Sequence, residues 1–258
     1  MYSDDFYQEH YPHWIEKPRV KKEYWFELYN ERYELIESHL PKLSRRILDV
    51  GSFLGLFLKV GQDRGWDVLG IEPSDPARDH ASAAGIRTLP KLFQDHSIND
   101  LGTFDVVNLS LTLEHIDDPA SLLAIAYEFL NPGGLISLEV PNEFNLIQIA
   151  ARHVLGVHKY WIAPPHYINY FTPDTLGNLL QSTGLKVVHR TTSFPMGFFL
   201  LMGQNYIGND AVGRECHSQQ MPLEPNLKSA GLELFKTELY ELFAKHGTGR
   251  ELIMFGQK

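Results

Sequence analysis

The chain has 258 residues, and its 23 Lys and Arg against 32 Asp and Glu give a formal net charge of −9 at pH 7. Its cations are scattered rather than gathered in runs, so the footprint that a phosphate backbone requires is missing and no nucleic-acid partner is expected. A single cysteine, Cys216, excludes an internal disulfide and a cysteine-based zinc site and suits a reducing cytoplasm.

The first residues, Met1 to Tyr7, are acidic and aromatic, without the basic region and apolar core of a signal peptide. The most apolar stretch, 194–203, is about half of the roughly 18–20 residues a membrane span needs. The expectation is a cytoplasmic chain with no membrane partner, long enough to hold one large α/β domain over 1–258.

In chain order, apolar residues at Trp25, Leu28, Tyr29, Leu35, Ile36 and Leu40 have helical spacing and predict a helix over 24–40 with a core-facing stripe. Residues 1–45 thus form an N-terminal cap. Arg46 to Val50 is a short apolar run ending at Gly51, a buried strand. A helix over 55–64, a strand over 67–71, a helix over 74–84 closed by Gly85, and a strand over 86–89 follow. The run 104–109 is a fourth strand. Pro119 opens a helix to Leu130 with Asp118 as its N-cap. Asn131-Pro-Gly-Gly134 reads as a turn before a fifth strand, 135–140.

Strands alternating with helices over 46–142 imply a parallel sheet covered on both faces. Beyond it, 143–258 is less regular. It predicts a short helix over 146–155, a helix from Thr172 to Gly184, strands over 185–190 and 251–255, and an insertion, 192–249. One helix is expected in that insertion, 226–245, with a stripe at Leu227, Leu234, Leu239, Leu242 and Phe243. The fold class is α/β: a doubly wound, Rossmann-like sheet of seven strands, mostly parallel, with an antiparallel last strand and a helical insertion.

Two signals carry chemistry. A glycine at the tip of the first strand, Gly51, lets a ligand approach the backbone, and the next helix offers free N–H groups. Glu72 lies twenty-one residues on, at the tip of the second strand, where an acid can accept hydrogen bonds from both hydroxyls of a ribose. The pair specifies an adenosine-type nucleotide. A dinucleotide fingerprint needs three glycines, and here Gly51 and Gly55 stand alone, which suits a ligand without a pyrophosphate.

Four stretches extend this pattern. Leu48-Asp-Val-Gly-Ser-Phe-Leu-Gly55 resembles the first motif of class I S-adenosylmethionine (SAM)-dependent methyltransferases, with Phe53 where the family has its middle glycine. Gly70-Ile-Glu-Pro-Ser74 resembles their acidic second motif. Residues 104–119 and 130–142 resemble their fourth-strand and fifth-strand segments, and a weaker likeness, through 166–184, is to members acting on small metabolites and sugars.

The resemblance implies SAM as cofactor. Gly51, Ser52, Phe53 and Gly55 would run under its methionine part, joined by Asn108, Leu109 and Ser110 at the tip of the fourth strand. Glu72 would hold the ribose, Pro73 and Ser74 would lie beside the adenosine, and Leu92 and Phe93 would flank the adenine, with Asp95 a candidate carboxylate there. The expected activity is methyl transfer to O or N of a small-molecule acceptor, with a sugar or nucleotide-linked sugar as the first expectation. If the acceptor is a hydroxyl, His115 and His166 are the candidate catalytic bases, since an imidazole takes a proton near pH 7.

His153, His158 and His166 lack metal-ligand spacing, so no metal is expected. The aromatic N-terminus, Tyr2 to Trp14, is a candidate lid, and 194–202 a candidate pocket wall or subunit contact. The rival readings are a nicotinamide-dependent oxidoreductase, which the missing third glycine disfavours, and a non-catalytic SAM-binding protein. Oligomeric state is not legible in the sequence.

Overall fold

A computed structural model describes residues 22–40, 45–164 and 166–258; the aromatic segment 2–14 lies outside them. Seven strands form one sheet in the order β3-β2-β1-β4-β5-β7-β6. They are β1 (Arg46–Val50), β2 (Asp67–Ile71), β3 (Thr88–Leu89), β4 (Phe104–Ser110), β5 (Leu130–Pro141), β6 (Lys186–Thr192) and β7 (Glu251–Gln257). β1 pairs in parallel with β2 and β4, and β4 with β5, while β7 runs antiparallel to both β5 and β6. The predicted fold class holds in both topology and strand count.

β1 and β4 sit at the centre because they are apolar on both faces: Ile47, Leu48, Val106, Val107 and Leu109 are fully buried. The chain leaves β1 in one direction and reaches β4 on its other side only after β2 and β3. This reversal opens a crevice at the carboxyl ends of β1 and β4.

The helices are α1 (Lys22–His39), α2 (Leu56–Asp63), α3 (Asp75–Ala83), α4 (Ile98–Leu101), α5 (Pro119–Glu128), α6 (Leu146–Leu155) and α7 (Pro173–Ser182), followed by α8 (Gly197–Leu201), α9 (Asp210–Gln220), α10 (Leu223–Ser229) and α11 (Glu233–Lys245). Their ends follow local chemistry. Asp118 accepts a hydrogen bond from the backbone N–H of Ser121 at the start of α5, and Thr172 does the same for Thr175 at α7. On α1, Tyr33 and Ile36 are fully buried, and the Tyr33 ring stacks on Phe57 of α2 at 4.6 Å. Trp25, Leu28, Tyr29 and Leu35 of the predicted stripe are half-buried and line a cavity described below, while Leu40 packs against the core.

Three expectations need correction. The fifth strand begins at Leu130, because 131–134 is a bulge within it: Leu130 already pairs with Phe104, and the register shifts before Val106. The third strand is only Thr88–Leu89, being the sheet edge with one neighbour. The single helix over 226–245 is two, α10 and α11, broken where Gly231 takes φ 70°, and α8 and α9 precede them in the insertion. Two residues of its apolar stripe lie outside the core: Leu234 is 82% exposed and Leu242 50%. The buried anchor of α11 is Tyr240, whose hydroxyl donates to Glu224 of α10.

That carboxylate also accepts both contacts of the Gln220 amide, at 2.9 and 3.0 Å, so α9, α10 and α11 share one buried polar knot. Lys228 and Lys236 pair with Glu27 and Glu31 of α1 and fasten the insertion to it. Among the described residues no helix is long and apolar enough to cross a membrane.

The α1–α2 contact yields a prediction. A Cβ on Gly61 of α2 would lie 2.1 Å from the Tyr33 hydroxyl, inside a close-packed core. Gly61→Ala is therefore expected to destabilise the protein by about 1–3 kcal/mol, although alanine is the better helix former by about 1 kcal/mol. Urea unfolding midpoints of the two proteins measure this.

Candidate active site

The loop after β1 is held open by its backbone. Gly51, Phe53 and Gly55 all adopt positive φ, at 78°, 49° and 72°. Phe53 thus keeps the left-handed conformation that a glycine would take without cost, and stores strain there. The N–H groups of Gly51 and Ser52 both donate to the Ile71 carbonyl, at 2.8 and 3.1 Å, which binds the loop to the end of β2.

Glu72 completes the tie. One carboxylate oxygen accepts the backbone N–H of Phe53 at 2.9 Å, and the other accepts that of Ser74 at 2.9 Å. The residue is only 4% exposed, yet a carboxylate offers about four acceptor positions, so the chemistry suits a pair of ribose hydroxyls. Ser74 is the N-cap residue of α3 and Pro73 precedes it.

The fourth strand closes the other side. Asn108 donates to Asp49 of β1 at 2.7 Å, and burial pushes the Asp49 carboxyl up to about 7. The Asn108 Oδ1 and Ser52 Oγ are buried with no hydrogen-bond partner, the latter lying over Gly70 of β2. Leu109 is core, and Thr112 donates its hydroxyl to the Val50 carbonyl at 3.0 Å. A Cβ on Gly51 would lie 2.7 Å from that hydroxyl, so the glycine is required for the two segments to meet.

Leu92 is 48% exposed while Phe93 is buried, its ring 5.0 Å from that of Phe129. Asp95 accepts the Leu92 N–H at 3.3 Å, which makes it a cap for the 3₁₀ turn 93–95. His115 and His166 meet through backbone: His115 Nδ1 lies 2.7 Å from the His166 carbonyl and must carry the proton. Burial lowers the His115 ring below its ordinary range, so it is neutral at pH 7. Its Nε2 lies 3.6 Å from Glu114. Glu114 is 1% exposed with neither carboxyl oxygen hydrogen-bonded, and burial pushes it up to about 8. Among the described residues no group of three or more His, Cys, Asp or Glu is placed to hold a metal ion.

Sequence reasoning missed a second space. A cavity of about 480 Å³ lies between α1 and the helical insertion. Its inner end is Ser110 and Leu111 of the β4 tip together with Glu139 of β5. Ser110 donates to Glu139 at 2.5 Å, and Arg32 of α1 lies 3.4 Å from the same carboxylate oxygen. The signal was present, since Glu139 is the one charged residue of the twelve in β5. Phe194 and Met196 line the cavity.

Residues 22–190 match a family described as methyltransferase domain. A ubiquinone biosynthesis O-methyltransferase of Methylococcus capsulatus is 25% identical over 194 residues, covering 69% of this chain and 78% of that protein. The fold is that of a SAM-dependent methyltransferase from Archaeoglobus fulgidus, with TM-score 0.57, 16% identity, and coverage of 94% of this chain and all of that one. It is also that of the plantazolicin methyltransferase in complex with S-adenosylhomocysteine, with TM-score 0.56, 16% identity, and coverage of 93% and 86%.

The Glu114 environment predicts a pH effect on stability. Its folded carboxyl is raised, so the folded protein holds a proton that the unfolded chain releases from about pH 4.5 upward. Stability is full below that pH and falls as pH rises toward 8. Glu114→Gln should flatten this decline, leaving the variant more stable than wild type by about 1–3 kcal/mol at pH 9. Urea titrations at pH 5 and pH 9 test it.

Proposed function

The chain belongs to the methyltransferase-domain family and is a SAM-dependent methyltransferase, and from that premise we propose that it methylates a hydroxyl oxygen of a small acceptor. The choice of oxygen is supported by relatives named as O-methyltransferases. A sugar acceptor, the first expectation from the sequence, has no support in those names.

The observation that carries the reading is Glu72, buried at a strand tip with one backbone N–H on each oxygen. We assign it to the ribose. Gly51, Ser52, Phe53 and Gly55 pass beneath the methionine part, with Asn108, Leu109 and Ser110 opposite. Pro73 and Ser74 stand beside the adenosine, and Leu92 covers the adenine with Phe93 packed behind it. When bound, SAM supplies an electrophilic methyl on a sulfonium. This chain's part is to hold the acceptor oxygen in line with it, an effect worth up to about 7–11 kcal/mol in favourable cases.

We assign His115 and His166 to the crevice wall rather than to proton transfer. The remaining acceptor of His115, Nε2, faces Glu114 at 3.6 Å, and burial keeps the ring neutral, so it does not repel a cationic sulfur.

Two measurements check this. Glu72→Ala should weaken S-adenosylhomocysteine binding at least tenfold by calorimetry, about 1.4 kcal/mol. Unchanged affinity would remove the cofactor assignment. Incubation with methyl-labelled SAM and a panel of phenols, sugars and amines should put label on a hydroxyl oxygen, and label confined to nitrogen would contradict the acceptor assignment.

A further inference from the structure

Three consecutive residues, Ser110, Leu111 and Thr112, connect the loop after β1 with the cavity beneath α1. Thr112 packs against Gly51 on the crevice side, while Ser110 and Leu111 line the cavity. Leu111 holds φ 50°, a conformation a leucine adopts only when its surroundings impose it. Anything seated at the inner end of the cavity therefore lies beside the loop assigned to the cofactor's methionine part.

The lining restricts what fits. Trp25, Leu28, Tyr29, Leu35, Phe194 and Met196 give largely apolar walls. Most of the polar groups around them are already engaged with one another. Glu224 takes Gln220 and Tyr240, Glu31 takes Lys236, and Glu251 takes Arg250 and Ser193. A sugar would bring many hydroxyls to walls with few partners to offer, and each unmet hydrogen bond costs binding. A mostly apolar body with a hydroxyl at one end fits, and a volume of about 480 Å³ is within the range of small-molecule sites.

Among titratable groups at the inner end, Glu139 is the one placed to act. Tyr29 is pushed well above its ordinary range by burial and then by Glu139 and Asp49, and stays protonated. His189 stands on the edge strand β6 with its ring packed against those of His39 and Phe255, at 4.9 and 5.2 Å. Glu139 touches Ser110 and pairs with Arg32, its side chain 19% exposed.

Resting on the O-methylation reading above, we propose that the cavity between α1 and the helical insertion is the acceptor chamber, and that Glu139 is the catalytic residue receiving the acceptor's hydroxyl proton. The acceptor O–H bond breaks with its proton passing to a Glu139 oxygen. The electron pair left on oxygen forms the O–CH₃ bond, and the S–CH₃ bond of the cofactor breaks with its pair remaining on sulfur. Ser110 and Arg32 hold the carboxylate in place throughout.

Catechol serves as the probe, with wild type, Glu139→Gln, and two chamber-filling variants, Leu28→Trp and Met196→Trp. Binding is measured by calorimetry in the presence of S-adenosylhomocysteine, and turnover by S-adenosylhomocysteine release from SAM. Either filling variant should weaken catechol binding at least tenfold while its affinity for S-adenosylhomocysteine stays within about threefold of wild type. Glu139→Gln should bind catechol within about threefold of wild type but lose at least ~100-fold in kcat.

Wild type that does not bind catechol overturns the chamber, as does full catechol binding in both filled variants that retain S-adenosylhomocysteine. Glu139→Gln turnover within threefold of wild type overturns the base. Failure of the O-methylation reading looks different: catechol then binds in a manner sensitive to chamber filling, yet wild type transfers no methyl to it.

Discussion

The Glu72 carboxylate joins two loops that leave adjacent strands, taking the Phe53 N–H from one and the Ser74 N–H from the other. Charged acceptors make hydrogen bonds roughly twice as strong as neutral ones, and this one is buried, where the contacts are little weakened by water. The bend after β1 therefore has a fixed distance from the tip of β2. The crevice and the approach of Thr112 to Gly51 are both placed relative to that tie.

Strain collects around the same point. Phe53 and Leu111 both sit at positive φ without being glycine, one in the loop beneath the crevice and one in the segment that connects that loop with the cavity. Backbone conformations of this kind persist where surroundings over-determine them, commonly at ligand sites. For Phe53 the cause is visible: its N–H is held by Glu72 and the neighbouring N–H groups by Ile71, so the loop keeps its course with a side chain that does not favour it.

The parallel core was legible because its information is local. Short apolar runs ending in glycine, an acid at the next strand tip, and the caps Asp118 and Thr172 each act within a few residues. The insertion was not legible in the same way. The spacing of Leu227, Leu234, Leu239 and Leu242 suits a continuous helix, but whether such a face is buried depends on what packs there. Here Tyr240 and Glu224 anchor the helices and leave Leu234 outside. Glu139 was missed for a similar reason: its meaning comes from Ser110, Arg32 and the cavity, which the sheet register and α1 bring together from three distant stretches. Phe93 shows the limit at single-residue scale, since neighbours at the end of β3 divide into an exposed Leu92 and a buried Phe93.

The α1 helix links fold to chemistry. One face packs Tyr33 and Ile36 into the core, and another lines the cavity and meets the insertion through Glu27 and Glu31. The most direct test of the whole account is a crystal structure with S-adenosylhomocysteine bound. Both ribose hydroxyls are expected within hydrogen-bond distance of the Glu72 carboxylate, with the sulfur toward the Ser110–Leu111 wall. An adenosyl group lodged elsewhere, or a ribose held by residues other than Glu72, would contradict it.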